Sequence, residues 1–162
     1  EIDNINALGA SSSDHRHINI ETVRDQKLYT DPERAARFVK ETRVDIFASF
    51  IGNVHGLYSE AKTLRLDILQ KIVAALPETF LSLHGGSGIP AEQIKEAINA
   101  GIVKINVNSE LRVAFRDALK RTLEEEIGQD EVAIYKIMPS SIAAMQRIVE
   151  EKILLFGSAG KI

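Results

Sequence analysis

The chain has 162 residues, 44% hydrophobic and 27% charged, which is enough for one globular domain with a real core. A net charge of −3 provides no electrostatic footprint for nucleic acid or an anionic membrane, and no apolar stretch approaches the roughly 20 residues that span a bilayer. With no cysteine there are no disulfides and no thiolate ligands, so any metal must be held by His, Asp or Glu, a donor set that suits zinc or a similar divalent ion.

Glu1-Ile2-Asp3-Asn4 lack the basic and apolar regions of a signal peptide, which together with the missing cysteines fits a cytoplasmic protein. From there short apolar runs alternate with amphipathic helices, the signature of βα units and a parallel sheet. Glu1 to Leu8 reads as a truncated or irregular strand, and Ala10 to Lys27, polar and rich in Ser and Asp, as a long loop. Thr30-Asp31-Pro32-Glu33 starts a helix with Thr or Asp as cap and Pro in the first turn, and Ala35, Ala36, Phe38 and Val39 give it an apolar side. Val44 to Phe50 is the next strand. A helix from about Leu66 to Leu76 follows, apolar at Leu69, Ile72, Val73 and Leu76 and ended by Pro77.

Phe80 to Leu83 is a strand, and Pro90 opens a helix with Ile94, Ala97 and Ile98 inward and Gly101 as its stop. Ile102 to Val107 is the last clear strand. Asn108 or Ser109 caps a long helix carrying Leu111, Phe115, Leu119 and Leu123, with Glu124-Glu125-Glu126 as a solvated end. A final helix runs from Ser141 to about Leu155. No linker divides the chain, so residues 1–162 read as a single domain. Four βα units are half of an eight-fold barrel, which needs about 250 residues. A four-stranded open sheet is the competing architecture, and periodicity does not separate the two.

Parallel α/β folds place their chemistry at the carboxyl ends of strands. His55-Gly56 and His84-Gly85 fall there, each closing an apolar run, and two imidazoles at equivalent positions on successive units form half of a metal site. Either histidine alone reads more simply as a hydrogen-bonded or surface residue. Asp14-His15-Arg16-His17 has no strand to hold ligands in register. His84-Gly85-Gly86-Ser87-Gly88 leads straight into a helix, so its backbone N–H groups and the helix dipole suit a phosphate. Asn106-Val107-Asn108-Ser109-Glu110 repeats that arrangement one unit later, and Arg112 could add an anion contact or be a solvated helix residue.

At these residues the sequence resembles the class II, metal-dependent ketose-bisphosphate aldolases. ASFIGNVHGLY, LHGGSGIP and VKINVNSELR occur in family order, and LLFGSAGK is similar to a family ending. The resemblance covers nearly the whole chain but only the second half of the family's barrel, about strands five to eight of a (β/α)8 TIM barrel plus a C-terminal helix. It implies that His55 and His84 are two of three zinc-binding histidines. Gly56, Gly85, Gly86 and Ser87 then match phosphate-loop positions, some of which also contact a monovalent cation such as Na+ or K+ in the family. Asn106, Asn108 and Ser109 match the second phosphate-binding turn, and Arg112 an arginine that holds the distal phosphate.

The activity implied is reversible cleavage of fructose 1,6-bisphosphate, or a related ketose bisphosphate, to dihydroxyacetone phosphate and glyceraldehyde 3-phosphate, as in glycolysis and gluconeogenesis. Zinc would serve as Lewis acid, with no lysine Schiff base. The expected assembly is a homodimer or higher oligomer.

Four departures from the family pattern stand out. The first-half motif with the main catalytic aspartate and the third zinc histidine is absent. The usual loop glutamates are replaced, leaving Asp14 as the candidate substitute. Ser59-Glu60 stand where a lysine often follows the His-Gly-x-Tyr turn, leaving Lys62 to reach instead. Asn108 stands where Asp or a small residue helps separate fructose from tagatose substrates. The alternative reading is a non-catalytic barrel half or accessory subunit that binds sugar phosphate without turnover. A generic phosphate-binding α/β domain is a third.

Overall fold

The computed structural model describes residues 2–3 and 28–161. Asp14, the Asp14-His15-Arg16-His17 string and the rest of the expected loop lie outside the described residues. The elements run β1 (Ile2–Asp3), α1 (Pro32–Thr42), β2 (Ile46–Ala48), α2 (Leu66–Ala75), β3 (Phe80–Leu83), α3 (Ala91–Ala100), β4 (Ile102–Ile105), α4 (Ser109–Arg121), a π-helical turn (Thr122–Glu126) and α5 (Ile134–Leu155). They form two compact units, Glu1–Asn108 and Ser109–Ile162.

In the first unit the four strands are parallel and lie in the order β1-β2-β3-β4. Each crossover steps in the same direction, and right-handed crossovers then place every helix on one face. The helices form that layer: α1 packs on α2, and α2 on α3. Phe38 of α1 lies against Phe47, ring centroids 6.1 Å apart, so Phe47 marks the helix-covered face. Its register partner Leu81, and Ile102 beyond it, share that face. Ala48, Ser82 and Lys104 are in register with one another on the opposite face.

The helix starts follow local chemistry. The Asp31 carboxylate accepts the Arg34 N–H at 2.9 Å, and Pro32 takes the first helical position, where a missing N–H costs nothing. Thr30 is diverted to the sheet. Its N–H donates to the Phe50 carbonyl at 2.9 Å, and its hydroxyl accepts the Phe50 N–H at 2.8 Å. That diversion explains why β2 is shorter than the expected Val44–Phe50. Past Ala48 the backbone groups are taken by Thr30 and by Asn53, whose amide oxygen accepts the Ile51 N–H at 2.7 Å. β4 likewise stops at Ile105, short of Val107.

Between β3 and β4 the register shifts. Leu81 pairs with Ile102, but Ser82 pairs with Lys104 and Leu83 with Ile105, so Val103 is skipped.

In the second unit α4 packs along α5, and Glu110 pairs with Lys152 at 2.5 Å. α4 runs into the π turn, where the Ile127 N–H reaches back to the Thr122 carbonyl at 3.0 Å. α5 begins at Ile134, one to two turns ahead of the expected Ser141, and contains Pro139. Proline marks a helix boundary because it lacks an N–H. Here the turn before it is held by Glu131, whose carboxylate accepts the Val132 and Ala133 N–H groups at 3.0 Å each and pairs with Lys136 at 2.7 Å. Those contacts hold the Glu131 carboxyl below its ordinary pKa, the Lys136 bond being the largest cause.

Leu69 and Ile72 of α2 are fully buried. Leu69→Ala should lower the unfolding free energy by about 2–5 kcal/mol. Denaturant unfolding checks this, and an unchanged midpoint would show that α2 does not pack as described.

Candidate functional site

The chemistry gathers where β2, β3 and β4 end. His84 lies two residues beyond Ser82 and Asn106 two beyond Lys104, so alternation carries both onto the face opposite the helices. Because Val103 is skipped, Ser82 and Lys104 are opposite each other, and His84 and Asn106 therefore meet. Asn106 Nδ2 is 3.0 Å from His84 Nε2. Lys104 Nζ donates to Asn106 Oδ1 at 2.9 Å. An ammonium can only donate, so it fixes the amide with its oxygen toward Lys104 and its NH2 toward the imidazole. The NH2 can only donate in turn, so Nε2 of neutral His84 accepts, leaving the ring proton on Nδ1.

His55 is exposed, His84 half-buried, and their ring centroids are 6.1 Å apart with planes at 88°. The link between their segments is Asn53, which is fully buried. Its NH2 donates to the carbonyls of Ser49 and His84, both at 3.1 Å. One side chain thus ties the β2 turn to the end of β3.

Gly85 and Gly86 permit the close approach of the turns. Gly85 has φ +61°, and a Cβ there would stand 2.6 Å from the Val54 carbonyl oxygen. A Cβ on Gly86 would lie 2.7 Å from Ile105 Cγ2 and 3.0 Å from the Asn106 carbonyl oxygen. In place of that clash the Gly86 N–H donates to the Asn106 carbonyl at 3.0 Å, and the Asn106 N–H to the Leu83 carbonyl at 2.9 Å. The Asn108 N–H reaches Ser87 Oγ at 3.3 Å. The two Gly- and Asn-rich turns are therefore one hydrogen-bonded ledge, followed by α3 on one side.

Lys62 reaches this ledge from behind. It is 1% exposed, and its Nζ donates to the Gly85 carbonyl at 3.0 Å and to the Ser87 carbonyl. Nearby, burial pushes the Tyr58 phenol above its usual pKa, so it stays neutral beside the ammonium, which lies 5.9 Å from its ring centroid.

The structure thus brings together His55, His84, Gly56, Gly85, Gly86, Ser87, Asn106 and Asn108 of the sequence-derived set. Ser109 and Arg112 belong to the second unit, on the first turn of α4. Asn53 and Lys104 are contributors that pattern reading overlooked. A polar residue inside an apolar run, as Asn53 is between Ile51 and Val54, signals a buried amide that must find partners. Chemically the arrangement offers two imidazole donors beside a glycine-rich turn that leads into the N-terminus of α3. Among the described residues no group of three or more His, Cys, Asp or Glu gathers around one point, so two nitrogen donors are what they contribute to a metal.

The model of the family "Fructose-bisphosphate aldolase class-II" matches residues 5–161. A fructose-bisphosphate aldolase of Streptococcus pyogenes is 44% identical over 138 residues, covering 80% of this chain and 47% of that protein. A 6-phospho-5-dehydro-2-deoxy-D-gluconate aldolase of Shouchella clausii is 40% identical over 133 residues, covering 82% and 44%. Among solved structures, the YdjI aldolase from Escherichia coli aligns with a TM-score of 0.71 at 39% identity, covering 82% of this chain and 47% of that one. The chain spans about half the length of these relatives.

The Lys104–Asn106–His84 relay has a measurable consequence. In metal-free protein the neutral His84 ring should carry its proton on Nδ1, read from imidazole nitrogen chemical shifts, and Lys104→Met should move the population toward the other tautomer. An identical nitrogen pattern in the variant would show that Lys104 does not orient the amide. With the family model matching residues 5–161, almost end to end, the chain belongs to the class II fructose-bisphosphate aldolase family.

Proposed function

We propose that this chain supplies the second half, about strands five to eight, of a (β/α)8 aldolase barrel that cleaves a ketose bisphosphate with zinc as Lewis acid. The observation that carries this reading is the convergence of His55 and His84 with the Gly86–Asn106 ledge at the ends of consecutive parallel strands. Strand order supports the barrel. A doubly wound sheet reverses direction partway, whereas this one advances without reversal and keeps its helices on one face.

Cleavage of the substrate breaks its C3–C4 bond. The C4 hydroxyl proton leaves as the aldehyde forms, and the bonding pair passes to C3 as an ene-diolate that is then protonated. A bound divalent ion supplies polarisation of the carbonyl and stabilises that charge, so no lysine adduct is required. His55 and His84 would hold the ion together with a donor from outside the described residues. Neither thiolate nor a described carboxylate competes with them, and the imidazole pair suits zinc. Asn106 positions the His84 ring; an ion on Nδ1 would require the ring proton on Nε2 and the Asn106 amide turned to accept it, the arrangement of outer partners of metal ligands.

Gly85, Gly86, Ser87, Asn106 and Asn108 form the phosphate ledge, and Gly56, Ser109 and Arg112 keep the phosphate roles that the resemblance implies. The acid–base carboxylate is assigned to the loop containing Asp14 and to the first half of the barrel. Fructose 1,6-bisphosphate is the leading substrate. The relative named for a phosphorylated keto acid shows that related phosphorylated substrates belong to the same comparison. A homodimer or higher homo-oligomer is the assembly that the resemblance implies, and a cytoplasmic location fits the cysteine-free composition.

His55→Ala and His84→Ala should each lower kcat/KM for aldol cleavage by more than about a hundredfold and weaken zinc binding measured directly, because they remove ligands rather than their outer partners. Chelation should abolish turnover and zinc restore it. Cleavage that persists after exhaustive metal removal, with a lysine adduct trapped by borohydride, would overturn the proposal. Zinc-loaded protein that binds sugar phosphate without turnover would favour the accessory-subunit reading.

A further inference from the structure

We infer that Lys62 is a tethered cation that shapes the phosphate ledge, standing where a free monovalent ion would otherwise be needed. The inference rests on the phosphate reading of the ledge given above. Lys62 is buried, and its ammonium is held by two carbonyls of one turn, Gly85 at 3.0 Å and Ser87. Two carbonyls turned onto one positive centre are part of the oxygen shell that an alkali-metal ion draws around itself. A free ion, which the family resemblance implies at some of the phosphate-loop positions, does not fit on the Gly85 and Ser87 carbonyls because those oxygens are already turned onto Nζ.

The backbone that carries Lys62 is pinned on its C-terminal side. The Leu64 N–H donates to Gln93 Oε1 of α3 at 2.6 Å, the Arg65 N–H donates to the Ile51 carbonyl at 2.7 Å, and Leu64 itself is buried. Thr63 is packed against Gly52, where a Cβ would come within 2.4 Å of its carbonyl oxygen. Lys62 therefore reaches the turn from a fixed base. An ammonium out of water is costly unless its donors are satisfied, and here the turn carbonyls take two of the three.

The consequence for the ledge follows from peptide geometry. In a trans peptide the C=O and the next N–H point in opposite directions. Holding the Gly85 and Ser87 carbonyls inward on Nζ turns the Gly86 and Gly88 N–H groups the other way. The Gly86 N–H meets the Asn106 carbonyl, joining the two turns, and the Gly88 N–H is turned away from the ammonium. Lys62 is thus a positioning residue, and its charge also favours an anion in front of the turn.

The test is calorimetric titration of the purified protein with inorganic phosphate as its tetramethylammonium salt, at matched ionic strength in tetramethylammonium or potassium chloride. Wild-type affinity should be the same in both salts within about twofold. Lys62→Ala should bind about tenfold to a hundredfold more weakly in tetramethylammonium, the loss expected for charge-assisted hydrogen bonds. Added ammonium or potassium should restore it by filling the space left. Lys62→Met, which fills that space without charge, should be weak in every salt. Wild-type binding that strengthens about tenfold in potassium would overturn the tethered cation while leaving the phosphate ledge intact. Unchanged binding by Lys62→Ala, or a loss that no cation restores in a variant with a cooperative melting transition, would overturn it too. If the variants do not fold, the wild-type comparison of salts decides alone. Wild-type protein that binds no phosphate in any salt removes the phosphate reading and this inference with it.

Discussion

The hydrogen bonds that join the turn after β3 to the turn after β4 are the constraint on which the rest of the site depends. Gly86 N–H to Asn106 carbonyl, and Asn106 N–H to Leu83 carbonyl, continue the sheet beyond its last regular pair. They exist only because Val103 is skipped, so that Lys104 and Ile105, rather than Val103 and Lys104, stand opposite Ser82 and Leu83. Since side chains alternate along a strand, one residue of slip exchanges the faces they occupy. Without the shift, the residue that faces His84 would be Ile105, the last of β4, and the imidazole would lose its amide partner.

Around that junction the molecule buries an amide and an ammonium and pairs both. Asn53 is fully buried between Ser49, Ile51 and His84, and Lys62 lies beneath Gly85 and Ser87. Each would cost several kcal/mol if left without partners in an apolar surround, so the turns they hold are locked in a way that apolar contacts, which have no direction, do not achieve. Function and rigidity share the same atoms. The carbonyl of His84 takes the Asn53 amide while its ring faces Asn106, so the histidine is fixed from both its backbone and its side chain.

The helix-covered face was legible in the pattern of residues. Leu69, Ile72, Ile94 and Ala97 recur at helical spacing and are buried as expected, and Asp31-Pro32 marks a helix start because carboxylate capping and a fixed proline φ are local effects. The strand runs were legible too, but their ends were not. Val44 to Phe50 is apolar apart from Asp45 and Ser49, yet Phe50 and Ile51 pair with Thr30 and Asn53 instead of continuing the ladder. α5 shows the same limit, since Pro139 is a local stop signal that the contacts of Glu131 on the preceding turn outweigh.

By itself the sequence determined the alternation of strand and helix, the two His-Gly turns, the Gly-rich and Asn-rich loops and the family they belong to. These are properties of residue type and short spacing, and each depends on chain that is close at hand. The tertiary structure alone decided that His84 meets Asn106, that Lys104 orients the amide, that Asn53 ties two turns together and that Lys62 turns inward to two carbonyls. Each of those contacts joins residues on different strands or loops or depends on the β3/β4 register, and a register is set by the sum of pairings across the sheet rather than by any one segment.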